Sequence, residues 1–226
     1  MVDEALYPLL ATGSGGIMVA RSKDYSALSS SFDAALLGPG WGRAPERAKD
    51  FSYFAGAEAA GKALVLDADA LKLAKSHVFA GRAILTPHPL ELARFLDIDK
   101  KDLLENPNLF LIPAAKKINA TIVLKGHVTR IASNDGRLAL VDGMQPVLAM
   151  GGSGDLFAGF VAALAARSLR SSQDGGQSFD PLAIAVAAAS LLVEAAKAAR
   201  DEYGFCDPLD IAHKAAKLAG LAWLKD

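Results

Sequence analysis

"LAMGGSGDLFAGFVAAL", residues 148–164, sets Gly151, Gly152, Gly154 and Asp155 at the mouth of a strongly apolar helical pattern. A helix cap accounts for part of this. Ser153 suits an N-cap, and Asp155 then falls in the first turn, where an acidic group stabilises a helix by about 0.3–1 kcal/mol. Capping alone does not ask for glycine at 151, 152 and 154, because glycine lowers helix stability. Glycines do let the backbone fold into an anion-binding nest, at a helix end whose free amides and dipole favour an anion. The stretch lacks the Lys-Ser/Thr ending of a Walker loop, and G-x-G-x-x-G occurs nowhere in the chain. The pattern therefore predicts a phosphate cradle with a carboxylate placed to take a proton from an attacking hydroxyl.

Upstream of this junction, apolar runs of strand length alternate with helical periodicity. "DAALLGPG" (33–40), "KALVLDADAL" (62–71), the start of "RAILTPHPLELARFL" (82–96) and "TIVLKG" (121–126) read as buried strands. Residues 43–61 read as an amphipathic helix closed by Gly61, and 108–119 as a helix with Pro113 at a first turn or kink. "VTRIAS" and "RLALVD", split by "NDG", read as a hairpin. The remainder is helical at roughly 154–169, 181–200 and 208–224, interrupted by the flexible insert "SSQDGGQS". Buried strands alternating with helices predict an α/β fold: a mainly parallel sheet covered on both faces, with a helical C-terminal part.

The composition narrows the function classes. With 24 Lys and Arg against 25 Asp and Glu, the chain has no electrostatic footprint for nucleic acid or an anionic membrane, so neither partner is expected. One cysteine, Cys206, excludes an internal disulfide and fits a reducing compartment. The first residues lack the basic flank and apolar run of a signal peptide, and "LAIAVAAASLLV" (182–193) is short and alanine-rich for a membrane span. A cytoplasmic protein is expected. No His, Cys, Asp or Glu cluster has metal-ligand spacing.

In parallel sheets, ligands sit beyond the carboxyl ends of the strands. Gly40 and Gly42, Asp67 and Asp69, Thr86 and His88, and Lys125 gather at those ends together with the glycine stretch. Asp67 and Asp69 would share a face of an extended strand and could order water or Mg2+, or simply cap the next helix. His88 stands between two prolines, as a ligand or as a helix cap with Glu91 as its N3 partner. Lys125, followed by Gly126, leaves room for a flat or phosphorylated ligand.

"GPGWG", "LVLDADAL", "AILTPHPLELARFL", "TIVLKGHVT" and "AMGGSGDLFAGFVAALAA" together resemble, in order, the NAD(P)H-hydrate dehydratases of the ribokinase-like superfamily. The resemblance covers roughly residues 32–200 and implies a three-layer ribokinase-like domain over 1–226. It implies ADP- or ATP-dependent removal of water from hydrated NADH or NADPH, with Mg2+, in a homotetramer. Asp155 would be the base, with Gly40, Gly42 and His88 on the substrate. Lys125, Gly126, His127, Val128, Thr129, Gly151, Gly152, Ser153 and Gly154 would lie along the nucleotide. His127 departs from the small residue the family usually carries. Residues 1–31 are atypical, because the family's first strands look missing or replaced; "GGIMV" (15–19), after a linker-like "TGSGG", would be a strand remnant. A small-alcohol kinase of the same superfamily and a non-catalytic nucleotide-binding module are the alternative readings.

Overall fold

The four apolar runs form strands β1 (Ala34–Leu37), β2 (Ala63–Leu66), β3 (Ala83–Leu85) and β4 (Thr121–Leu124). They lie side by side in chain order and pair in parallel, with Leu36 opposite Val65, Leu66 opposite Leu85 and Ile84 opposite Thr121. The hairpin β5 (Val128–Ala132) and β6 (Leu138–Asp142) extends the sheet antiparallel to β4, giving the order β1-β2-β3-β4-β5-β6. A computed structural model describes residues 7–13, 19, 21, 32–42 and 44–223, and the chain divides into two units, Met1–Phe32 and Asp33–Asp226.

In the second unit, strand periodicity decides which helix covers which face. Ala63 and Val65 of β2 point one way, into a cluster with Ile84, Val123 and Ile131. Helices α7 (Ser153–Gln173) and α8 (Pro181–Tyr203) close that cluster with Phe157, Val161, Ala185 and Ala188. The alternate residues Leu64 and Leu66 are also fully buried, on the opposite face. Helices α2 (Arg47–Ala59) and α6 (Pro107–Ile118) meet β2 and β4 and contribute no residue to the α7–α8 cluster. The result is a helix–sheet–helix sandwich. Helices α3 (Leu71–Ala74), α4 (Pro89–Leu96) and α5 (Lys100–Glu105) fill the crossover between β2 and β4, while α9 (Pro208–Trp223) packs on α8.

Several details depart from the sequence reading. The short helix α5 follows an Asp99 cap whose carboxylate accepts from the Lys101 amide, and polar periodicity hides it in the sequence. Pro113 lies inside α6, whose first turn is built on Pro107 instead. Helix α7 runs on to Gln173, so it takes in the start of the insert expected to be flexible. Helix α8 extends the apolar run 182–193 to 23 residues and is long and apolar enough by composition to cross a membrane. Its composition has another source here, since Leu182, Ile184, Ala185, Ala188 and Ala189 face the sheet, and Ala195, Ala196 and Ala199 face a second cluster with α9. Cys206 is buried in that second cluster, where burial, and then Asp210 and Asp207, push its thiol pKa up.

In the first unit, α1 (Tyr7–Gly13) takes in Thr12 and Gly13, the start of the stretch expected to be a linker. The Thr12 hydroxyl donates back to the Pro8 and Leu9 carbonyls, and the Arg21 guanidinium stands 4.4 Å over the Tyr7 ring. Of the expected strand remnant 15–19, only Val19 is among the described residues, and it lies in no regular element.

Candidate active site

Each parallel strand ends at a residue that turns the chain toward one edge of the sheet. After β1, Gly38 has φ +125° and lies so close to the exit of β2 that a Cβ there would stand 1.7 Å from the Asp67 carbonyl oxygen. Only glycine fits, and the two strand exits are thereby pressed together. After β2, Asp67 keeps extended geometry and the chain then enters a 3-10 turn at Ala68–Ala70. This corrects the expected pairing of the two aspartates on one strand face: the turn sends them in different directions. Asp67 is 2% exposed and receives the Lys125 ammonium at 2.7 Å, whereas Asp69 accepts the Gly42 amide at 3.0 Å.

His88 follows β3 as the N-cap of α4. Its Nδ1 accepts from the Leu90 and Glu91 amides, and the Glu91 carboxylate returns to the His88 amide at 2.8 Å, completing a capping box. The other nitrogen, Nε2, lies 3.3 Å from Glu91 Oε1. The imidazole is therefore held by its own helix, and the half-exposed ring offers a face and an edge, rather than a spare nitrogen, to a neighbouring ligand.

Lys125 follows β4, where its amide donates to the Pro87 carbonyl at 2.9 Å. Its ammonium reaches across to Asp67 and lies 3.5 Å from where a Gly154 Cβ would stand. A Cβ at 154 would therefore touch this cation at ordinary contact distance, so the backbone at the start of α7 lies close to the Lys125 charge. The helix itself begins differently from the sequence reading. Gly152, with φ +88°, is the N-cap, and Ser153 is the first helical residue. The Ser153 hydroxyl donates to the Leu148 and Met150 carbonyls, so it ties down the preceding loop instead of capping α7. Among the described residues the Asp155 carboxylate has no hydrogen-bond or ion-pair partner, and it is exposed one residue beyond Gly154.

Two cavities open at this edge. One, of about 450 Å³, is lined by Lys125, Gly126, His127, Thr129, Ser153 and Gly154 on its polar side. Its other walls are Met144, Pro146 and Leu148 from the loop after β6, and Phe157, Leu192 and Val193 from α7 and α8. Val128, expected beside the nucleotide, begins β5 and does not line it; nor do Gly151 and Gly152, which shape the turn. The second cavity, of about 630 Å³, is lined by Asp69 and His88 together with Lys72, Lys75, Glu91 and Arg94. Both volumes suit a small-molecule ligand. Lys125 links the two sets of residues: it lines the first cavity, and its partners Asp67 and Pro87 directly precede Ala68 and His88 of the second, while Asp155 lines neither and follows Gly154 of the first. Gly40 and Gly42 line neither, but the Gly42 amide positions Asp69.

Sequence reasoning missed the loop 143–149. Its signal was the cluster Gly143, Gln145 and Pro146 after a strand, a turn composition that also brings Gly143 within hydrogen-bonding distance of the His127 carbonyl, at 2.9 Å. Arg200 fastens this loop by donating to the Gln145 side chain at 2.9 Å.

A family model described as NAD(P)H-hydrate dehydratase matches residues 4–217. The chain belongs to this family. It is 44% identical over 142 residues to the bifunctional NAD(P)H-hydrate repair enzyme of Gloeobacter violaceus, covering 60% of this chain and 26% of that protein. It is 33% identical over 166 residues to the ADP-dependent (S)-NAD(P)H-hydrate dehydratase of Xanthomonas campestris, covering 74% of this chain and 57% of that one. The matches thus span between about a quarter and just over half of these relatives' length. Among solved structures, a ribokinase-like superfamily protein of Enterococcus faecalis superposes with a TM-score of 0.75 at 22% identity, covering 96% of this chain and 74% of that one. The Bacillus subtilis ADP/ATP-dependent NAD(P)H-hydrate dehydratase co-crystallised with ATP and Mg2+ also gives 0.75, at 23% identity, over 96% of this chain and 76% of that one. The fold of this family member is ribokinase-like.

Proposed function

We propose that this chain restores NADH and NADPH from their hydrated forms, by moving a phosphoryl group from ADP or ATP to the ring hydroxyl and expelling it as phosphate. The observation that carries the reading is Lys125 and Gly154 lining one cavity together, with the Asp155 carboxylate, unpartnered among the described residues, one residue beyond Gly154. The names of the relatives support the chemistry, since both the Gloeobacter and the Xanthomonas proteins act on NAD(P)H hydrate.

In this reading the nucleotide base lies in the more apolar cavity, against Leu148, Phe157 and Leu192, and the phosphates point to Lys125 and the Gly154 amide. A lysine ammonium and helix N-terminal amides together stabilise the charge that builds up on a transferring phosphoryl group. The hydrated nicotinamide ring lies toward Asp69 and the His88 ring, with Gly40 and Gly42 shaping the turn behind them. Asp155 accepts the proton of the ring hydroxyl as its oxygen bonds to the terminal phosphorus and the bond to the leaving nucleotide oxygen breaks. Hydroxide is a poor leaving group and phosphate a good one. The ring nitrogen lone pair then expels phosphate, and loss of a ring proton restores the dihydropyridine. Asp67 holds Lys125 in place and stays out of the proton transfer.

Mg2+ would enter with the nucleotide. Among the described residues no three His, Cys, Asp or Glu side chains converge, so phosphate oxygens and water, rather than a protein cage, would supply most of its ligands. Bound there, it would neutralise phosphate charge. A cytoplasmic enzyme acting as a homo-oligomer is the setting we propose for this reaction. The test is recovery of dihydronicotinamide absorbance from hydrated NADH or NADPH with ATP and ADP supplied separately. Recovery with either donor is expected. Turnover of a simple alcohol, without recovery from either hydrate, would replace the reading with a kinase.

A further inference from the structure

The second cavity carries a feature that hydroxyl activation does not use. Three cations, Lys72, Lys75 and Arg94, line it against two carboxylates, Asp69 and Glu91. Both carboxylates are engaged, Asp69 by the Gly42 amide and Glu91 by the His88 cap. Lys75 is engaged as well: it donates to Asp97 and to the Arg94 carbonyl. Lys72 on α3 and the Arg94 guanidinium on α4 are exposed, and neither has a hydrogen-bond or ion-pair partner among the described residues. Two unpaired cations from different helices thus face one concavity whose acids are already committed. The amide end of α4 adds nothing, because His88 and Glu91 occupy it. In the proposed reading, a dinucleotide with its nicotinamide by His88 would have the Lys72 and Arg94 charges of this same cavity within its phosphates' reach.

We propose that Lys72 and Arg94 form a phosphate-binding wall in this cavity, holding a phosphate of the dinucleotide substrate. This rests on the dehydratase reading for the substrate, although the wall itself is a statement about binding. The phosphate is either the pyrophosphate bridge, common to both dinucleotides, or the 2′-phosphate carried by NADPH alone. Guanidinium and ammonium groups suit either, since one offers a planar fork of donors and the other a compact charge.

The experiment compares wild type with the Lys72→Gln/Arg94→Gln double variant. Calorimetry gives the affinity for NADPH, NADH and ATP at two salt concentrations, and turnover of each hydrate is followed in parallel. Both positions are exposed, so the melting temperature should stay within about 2 °C of wild type. The expected result is at least about tenfold weaker NADPH binding, a shallower salt dependence, a raised KM with little change in kcat, and unchanged ATP affinity. An equal loss for NADH and NADPH assigns the wall to the pyrophosphate; a loss confined to NADPH assigns it to the 2′-phosphate. Unchanged affinity for both dinucleotides overturns the wall. If wild type turns over neither hydrate yet the variant still loses NADPH binding, the wall stands and the dehydratase reading falls.

Discussion

Adding one methyl group at Gly38 or at Gly40 asks two different questions of the turn after β1 (Ala34–Leu37). At Gly40, φ is +61° and no heavy atom lies within 4 Å of an added Cβ. Alanine there meets only the left-handed backbone penalty, about 1–2 kcal/mol. At Gly38, φ is +125° and the Cβ would stand 1.7 Å from the Asp67 carbonyl oxygen, 2.7 Å from its carbon and 3.2 Å from the Ala70 Cβ. The obstacle is mostly backbone, so it does not swing aside. Backbone strain of about 1–3 kcal/mol and overpacking of a further ~1–3 kcal/mol give a loss of about 2–6 kcal/mol. That is a large share of the about 5–15 kcal/mol that stabilises a typical protein. Relief requires β1 and β2 to part at their exits, which also moves Asp67 away from Lys125. Urea unfolding of Gly38→Ala and Gly40→Ala, with calorimetric titration of ATP, measures both effects. Gly40→Ala should lose about 1–2 kcal/mol and keep its ATP affinity, while Gly38→Ala should unfold at clearly lower urea than Gly40→Ala and bind ATP more weakly. Equal midpoints for the two variants would refute the close approach of the strand exits.

Further outcomes follow from single contacts. Thr121 is 1% exposed and its hydroxyl has no hydrogen-bond partner among the described residues, so Thr121→Val should stabilise by about 1 kcal/mol, raising the melting temperature by about 2–4 °C. Lys125→Met leaves Asp67 buried and unpaired, which should cost up to about 3–5 kcal/mol; adding Asp67→Asn should recover most of the stability, seen by urea unfolding, but none of the nucleotide affinity. The Asp180 carboxyl is held below its ordinary pKa by the Arg137 guanidinium, and Asp135 is lowered too, chiefly by the Arg137 backbone amide. A lowered carboxyl stabilises the fold above its unfolded pKa, and that contribution disappears as pH falls through its folded value. In Arg137→Gln, the Asp180 titration followed by NMR should therefore move up toward the ordinary carboxylate range, and stability should fall less steeply with acid.

Legibility in the sequence tracks locality. The strands from 34 to 124 are short, apolar and followed by Gly, Asp, Thr-Pro or Lys-Gly, so each announces itself without its neighbours. The capping box at His88 is equally local, since every partner lies within three residues. The Asp67–Lys125 pair spans 58 residues and depends on β3 lying between β2 and β4, which no local pattern reveals. The sequence places Asp67 and Asp69 on one extended face because an alanine at 68 gives no sign of the left-handed φ of 46° with which the 3-10 turn Ala68–Ala70 begins. Ser153 was read as a cap because its type fits one; Gly152, free to adopt φ +88°, takes that position and releases the hydroxyl to the loop carbonyls. The loop 143–149 and the cations Lys72 and Arg94 acquire meaning only as walls of cavities.

Asp155, one residue beyond the Gly154 that lines the first cavity beside Lys125, is the proposed base. Asp155→Asn keeps the size of the side chain, removes its capacity to take a proton, and breaks no contact among the described residues. The decisive measurement is kcat for dehydration of hydrated NADPH by this variant, beside its affinity for ATP. kcat should fall about 10²–10⁴-fold with ATP affinity retained. A variant that turns over at the wild-type rate would contradict this role for Asp155.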